Sequence, residues 1–138
     1  MKIEGIVAVE QQTVALLLEA GQLLAQMGRQ KQASDVFDGV GHLLPHSGVP
    51  HMLLGNLHFA KGKLALAEKA QRQAVEREAD RAACWAHLGE ALLWGGKVEE
   101  GLEACHHAIS IAGSDGSAKQ FALNLIQAQE LGCFDVEA

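Results

Sequence analysis

Glycine is costly inside a helix, yet this chain of 138 residues places its glycines with a fixed period. Gly21, Gly55 and Gly89 stand 34 residues apart, and Gly28, Gly62 and Gly96 repeat at the same interval. Six of the 15 glycines therefore fall into two columns, and other positions line up with them. Arg29, Lys63 and Lys97 each follow the second glycine. Leu24, His58 and Leu92 share a column, as do Ala33, Ala67 and Gly101. A period of this size marks an array of one supersecondary unit that buries its apolar face only by stacking on its neighbours. The columns define three units, 14–47, 48–81 and 82–115.

Each unit reads as two helices. Aromatic residues make up only 4% and tyrosine is absent, while Leu and Ala abound, which favours helix over sheet. The first glycine of each unit falls midway along the first helix, where a bulky side chain would hold its partner away. The second glycine ends that helix, because it accepts the left-handed conformation of a C-terminal cap. The second helices are predicted over 30–44, 64–78 and 98–112, with Ala33, Ala67 and Gly101 keeping them thin at the crossing. Pro45 and the Gly113-Ser114-Asp115 stretch supply stops. Beyond them, Phe121, Leu125 and Ala128 give one apolar face to a further helix within 116–132, closed by Gly132. Residues 1–13 extend the first helix or form a short leading one, and residues 133–138 are expected to fray. The prediction is an all-α chain of seven to eight helices in a single domain.

These columns resemble the tetratricopeptide repeat (TPR) family. The third unit carries Trp85, Leu88, Gly89, Leu92, Gly96, Gly101 and Ala108 in the family's signature slots. The second offers Leu54, Gly55, Gly62, Ala67 and Ala74, and the first Ala20, Gly21, Leu24, Gly28, Ala33, Phe37 and Pro45. His51 stands where the signature Trp would be, and Gln71 and Cys105 replace the aromatic that Phe37 provides. The resemblance implies a right-handed superhelical solenoid of three helix-turn-helix repeats plus a C-terminal capping helix. Trp85 fills a packing slot in that scheme.

The resemblance also implies a concave groove lined by the first helix of each repeat. Its slots fall on Ala15, Leu18, Gln22, Ala25 and Gln26, then on Val49, Met52, Asn56, Phe59 and Ala60. In the third repeat they fall on Ala83, Ala86, Glu90, Leu93 and Trp94. TPR domains that grip acidic C-termini hold a carboxylate with Lys, Arg and Asn. The equivalent residues here are Leu18, Gln22, Asn56, Ala83 and His87, of which only the asparagine is suited. An apolar groove fits instead an extended peptide or amphipathic helix with hydrophobic anchors. Leu18, Met52, Phe59, Leu93 and Trp94 are expected to supply pockets, the alternative being that most of these five are packed as core, and Gln22, Asn56 and Glu90 to hydrogen-bond a bound backbone. A more specific resemblance, in length, repeat number, acidity and apolar groove, is to the TPR chaperones of bacterial type III secretion systems. It implies a cytoplasmic chaperone that holds an apolar segment of a secreted partner. The alternative is a scaffold or adaptor that joins folded proteins in an assembly without chaperone activity.

Other function classes find little support. Seventeen acidic against 11 basic residues give a formal charge of -6, the wrong sign for a nucleic-acid binder. No apolar run reaches the roughly 18 residues of a membrane helix, so no membrane insertion is expected. No secretory signal is read at the N-terminus. Three cysteines without CxxC spacing point to reduced thiols, and Cys84 and Cys105 are expected to pack as neighbours.

The seven histidines do not compose a metal site. His51 and His58 lie two helical turns apart, Pro45 separates His42 from His46, and His106 and His107 diverge. Charging of His51 and His58 in packing slots is expected to lower stability at acid pH. Gly95-Gly96-Lys97 lacks the length and the Ser or Thr of a phosphate loop. No catalytic residue and no cofactor is expected. Charge is uneven: 61–81 nets +2 and 82–138 nets -6, with Glu99, Glu100 and Glu103 on an outer helix expected to form a solvated face, the alternative being a second partner surface. The apolar Ile3, Ile6, Val7 and Val9 could support self-association through the N-terminal segment.

Overall fold

The computed structural model describes residues 11–135. Self-association through Ile3–Val9 and fraying over 136–138 lie outside the described residues. Within them the chain forms seven helices: α1 (Gln11–Gln26), α2 (Gln30–Leu43), α3 (Val49–Ala60), α4 (Leu64–Arg77), α5 (Ala82–Trp94), α6 (Val98–Ile111) and α7 (Gly116–Glu130). No strand occurs among the described residues. The second helix of each repeat begins at the predicted residue and ends one residue early.

The two glycine columns have different jobs. Gly28, Gly62 and Gly96 close α1, α3 and α5 with φ of 79°, 74° and 81°, a region that costs side-chain-bearing residues about 1–2 kcal/mol. The backbone N–H of the next residue then donates back into the helix, as from Arg29 to Leu24 O at 2.9 Å. Gly21, Gly55 and Gly89 instead let paired helices approach. A Cβ on Gly21 would stand 2.5 Å from Phe37 Cε1, and one on Gly89 2.6 Å from Cys105 Sγ. At Gly55 the intruder would be the Gln71 side chain. Phe37, Gln71 and Cys105 occupy one column, so three unlike side chains enter the same notch.

Helices α1, α3, α5 and α7 touch one another in chain order, whereas α2, α4 and α6 do not. The first set therefore forms the short, inner side of a curved stack, and the second set the outer side. α7 packs on both α5 and α6 and covers the last repeat with Ala122 and Leu125. The turns between helices carry polar clasps. Arg77 Nη1 donates to Gly41 O at 2.7 Å, satisfying a carbonyl at the end of α2, and Gly48 N donates to Glu78 Oε1 at 2.9 Å. Trp85 Nε1 donates to Ala79 O at 2.8 Å, which anchors the start of α5. At the other end of the stack, Leu16 and Leu23 of α1 and Met27 just after it are each more than half exposed.

His51, in the signature tryptophan slot, has both ring nitrogens buried without a hydrogen-bond partner. Burial holds its pKa below the ordinary value, and Arg77 and His42 add to the effect while Asp38 opposes it. His58 is lowered by burial and by Lys63 and Lys61.

Two outcomes are expected. Gly89→Ala should destabilise the fold by about 1–3 kcal/mol in urea denaturation, because both Cys105 Sγ and Gly101 O crowd the new methyl. Gly39→Ala, in α2 with open space around it, should stabilise by about 0.5–1 kcal/mol. The histidines set a pH dependence. Their folded pKa values lie below the unfolded value of about 6.5, so the unfolded chain binds protons first. Stability should be full above that value and fall as pH drops from there through the folded values. Melting curves between pH 7.5 and 5 should show the decline, with His51→Phe reducing it.

Candidate functional site

The inner helices carry an unusual charge distribution. Not one Lys or Arg occurs in α1, α3 or α5; their only carboxylates are Glu19 and Glu90. Because α2, α4 and α6 reverse the chain between them, α1, α3 and α5 run parallel and their C-terminal ends share one edge of the stack. Along that edge aromatic rings meet. Phe59 near the end of α3 lies 6.2 Å from Trp94 at the end of α5, and Trp94 lies 5.0 Å from Phe134 beyond α7, both edge to face. Such pairs add about 0.5–1.5 kcal/mol beyond their burial. Trp94 keeps 44% of its surface exposed in the middle of this row.

The expected groove residues divide by burial. Gln22 and Trp94 are exposed, and Leu18, Met52, Asn56, Phe59 and Glu90 are half-buried. Leu18 packs partly against Phe37 and Leu57, and Met52 against the cluster of Ala74, Cys84 and Leu88. Asn56 is partly committed inward: its Oδ1 accepts from Gln71 Nε2 at 3.0 Å, which leaves its own amide group for a partner. The Glu90 carboxylate lies 3.8 Å from His87 Nδ1, beyond hydrogen-bond distance, and no Lys or Arg pairs with it among the described residues.

Leu93 corrects the expectation that it supplies a pocket. It is fully buried among Ala86, Cys105, Ala108 and Leu125. The cause is Gly101, which stands where the first two repeats have Ala33 and Ala67. A Cβ there would approach Leu93 Cγ to 2.9 Å, so the missing methyl makes room for the leucine to turn towards α6. Phe134 is the second correction. Expected to fray, it is only 6% exposed and belongs to the same cluster. Gly132, at φ 78°, turns the chain back after α7 and delivers the ring to Trp94. The aromatic at 134 was its one sequence signal.

The remaining chemistry is sparse. Burial pushes the Cys84 thiol up to about 12 and the Cys105 thiol to about 11, so neither offers a thiolate at neutral pH. Among the described residues no group of three His, Cys, Asp or Glu could hold a metal ion. No helix among them is long and apolar enough to cross a membrane.

Residues 50–81 match the tetratricopeptide repeat family. No curated protein matches the sequence. Among solved structures, the chain is similar to the type III secretion translocator chaperone SycD of Yersinia enterocolitica: TM-score 0.74, 19% identity, covering 88% of this chain and 91% of that one. SycD in complex with a peptide of the translocator YopD gives a TM-score of 0.73 at 18% identity, covering 91% and 95%. The first TPR of Spaghetti (RPAP3), bound to the HSP90 peptide SRMEEVD, gives 0.71 at 20% identity, covering 88% and 99%. The fold is therefore the TPR solenoid over nearly the whole chain.

The Trp94–Phe134 contact yields its own test. Phe134→Ala should destabilise the fold by about 2–4 kcal/mol, near the range for a buried phenylalanine truncated to alanine. It should also shift Trp94 fluorescence to longer wavelength as the indole loses its cover.

Proposed function

We propose that this chain is a cytoplasmic chaperone of the type III secretion kind, a binding protein without enzymatic activity. Its concave face would hold an apolar segment of a secreted partner and keep that partner soluble until export. The observation that carries this reading is the absence of any Lys or Arg from α1, α3 and α5 combined with half-buried Leu18, Met52 and Phe59 and exposed Trp94. A peptide ending in carboxylates would find no charge-assisted donor on these helices, so the mode of the HSP90 peptide is disfavoured. An extended segment bearing two or three apolar anchors would bury carbon against carbon, with Gln22, the Asn56 amide and Glu90 available to its backbone. The likeness to SycD, alone and with its YopD peptide, supports the same choice. Tryptophan is the side chain most enriched among binding hot spots, which makes Trp94 the leading anchor on the protein side. Leu93 drops out of the proposed set because it is core.

The test compares wild type with a Met52→Glu, Phe59→Glu, Trp94→Glu variant in co-purification from the native cell extract, after circular dichroism establishes that the variant folds. The expected result is one partner that is retained by wild type, lost from the variant and insoluble when produced alone. Recovery of the same folded partners with both proteins would replace this reading with the adaptor, whose binding surface lies elsewhere.

A further inference from the structure

One concavity among the described residues lies away from the concave face. It is a cleft of about 450 Å³ on the outer side, between α4 and α6, with α5 as its floor. Its origin is geometric: curvature brings the inner helices together and leaves α4 and α6 apart. The floor is apolar, with Leu88 and the half-buried ring of Trp85 on α5 and Val75 of α4 beside them, and His107 of α6 stands edge to face against Trp85 at 4.4 Å. The walls are acidic. Glu76 of α4 and Glu103 of α6 both line the cleft, and neither forms an ion pair with a described residue. Its one guanidinium, Arg72, is already engaged by Glu68 at 3.2 Å and by Glu100 at 2.6 Å.

We propose that this cleft is a second protein-docking site, and that its occupant is a basic amphipathic segment of a partner, one apolar side chain entering against Trp85 while flanking Lys or Arg residues pair with Glu76 and Glu103. Charge complementarity selects that occupant. Two free carboxylates beside an apolar floor repel acidic segments and leave neutral ones without polar partners at the rim. The site is independent of the concave face. It uses none of the residues proposed to hold a secreted segment, so the two can fail separately.

The chain has two tryptophans, and Trp94→Phe leaves Trp85 as a reporter inside the cleft. The probe is a helical peptide of leucine and lysine, with a leucine–glutamate peptide of equal length as its counterpart, at physiological ionic strength. The expected result is a saturable change in Trp85 emission with the lysine peptide only. Glu76→Lys with Glu103→Lys should weaken its Kd about ten-fold or more, and the milder Glu76→Gln with Glu103→Gln should weaken it in the same direction. Asp35→Lys with Glu130→Lys, an equal change of net charge at exposed sites away from the cleft, should leave Kd within about two-fold. Each variant is first checked for helical content. Three results would overturn the proposal: no response of Trp85, equal binding of the glutamate peptide, or equal weakening by both lysine double variants, which would reduce the effect to general attraction by an acidic protein.

Discussion

The close approach of paired helices at Gly21, Gly55 and Gly89 is the constraint on which the rest of this molecule depends. Each glycine receives a side chain from the partner helix, and the receiving geometry is so tight that a single methyl would displace it. With the notch fixed, the identity of the intruder can vary. Phe37 fills it with a ring, Cys105 with a sulfur, and Gln71 with an amide that must then find partners in the interior. Gln71 does so only through its nitrogen, which donates to Met52 O at 3.1 Å and to Asn56 Oδ1, while its Oε1 is buried without a partner. A buried polar group thus reaches through α3 to the concave side and fixes the orientation of a candidate binding residue there. Unsatisfied, such an amide would cost about 1–3 kcal/mol, which is why Asn56 cannot be treated as a free groove residue.

The periodic features of the fold were open to reading from the chain because they are local. A cap needs one glycine at one position, and a helix crossing needs one small residue at another; both recur at fixed spacing and so declare themselves. The two corrections share the opposite property. Leu93 faces α6 because of a methyl that is missing from a residue on a different helix, and nothing within α5 itself distinguishes its direction from that of Phe59 in the preceding repeat. Phe134 is held by a ring 40 residues earlier in the chain, beyond a turn whose direction depends on Gly132. Asn56 belongs with them, since its partner is 15 residues away on α4. Sequence spacing reaches the helix; it does not reach the neighbour across the pair.

Curvature sorts the side chains into two environments. Of the inner helices, α1, α3 and α5 carry no Lys or Arg and present a carbon-rich surface with one edge of aromatic rings. The outer side holds the ion pairs that link repeats, with Glu68 accepting from Lys97 Nζ at 2.9 Å while Arg72 bridges Glu68 and Glu100. These pairs are partly exposed, so each contributes no more than about 1 kcal/mol, but they span α4 and α6, which do not otherwise touch. They cross from α4 to the start of α6, whereas apolar packing holds the inner helices together.

That separation decides what a single substitution can report. A charge placed on Met52 or Phe59 acts on the apolar face and leaves the ion-pair ladder of the outer helices untouched. A charge reversed at Glu103 acts on the outer wall, one helical turn from Glu100 and its bond to Arg72, without entering the core. Leu93 and Gly101 belong to neither face. They lie in the core of the last repeat, and enlarging Gly101 would press on Leu93 in the cluster that includes Phe134, the ring packed against Trp94. A change at 101 would therefore move the concave face without touching any residue on it, and binding losses there speak to packing rather than contact.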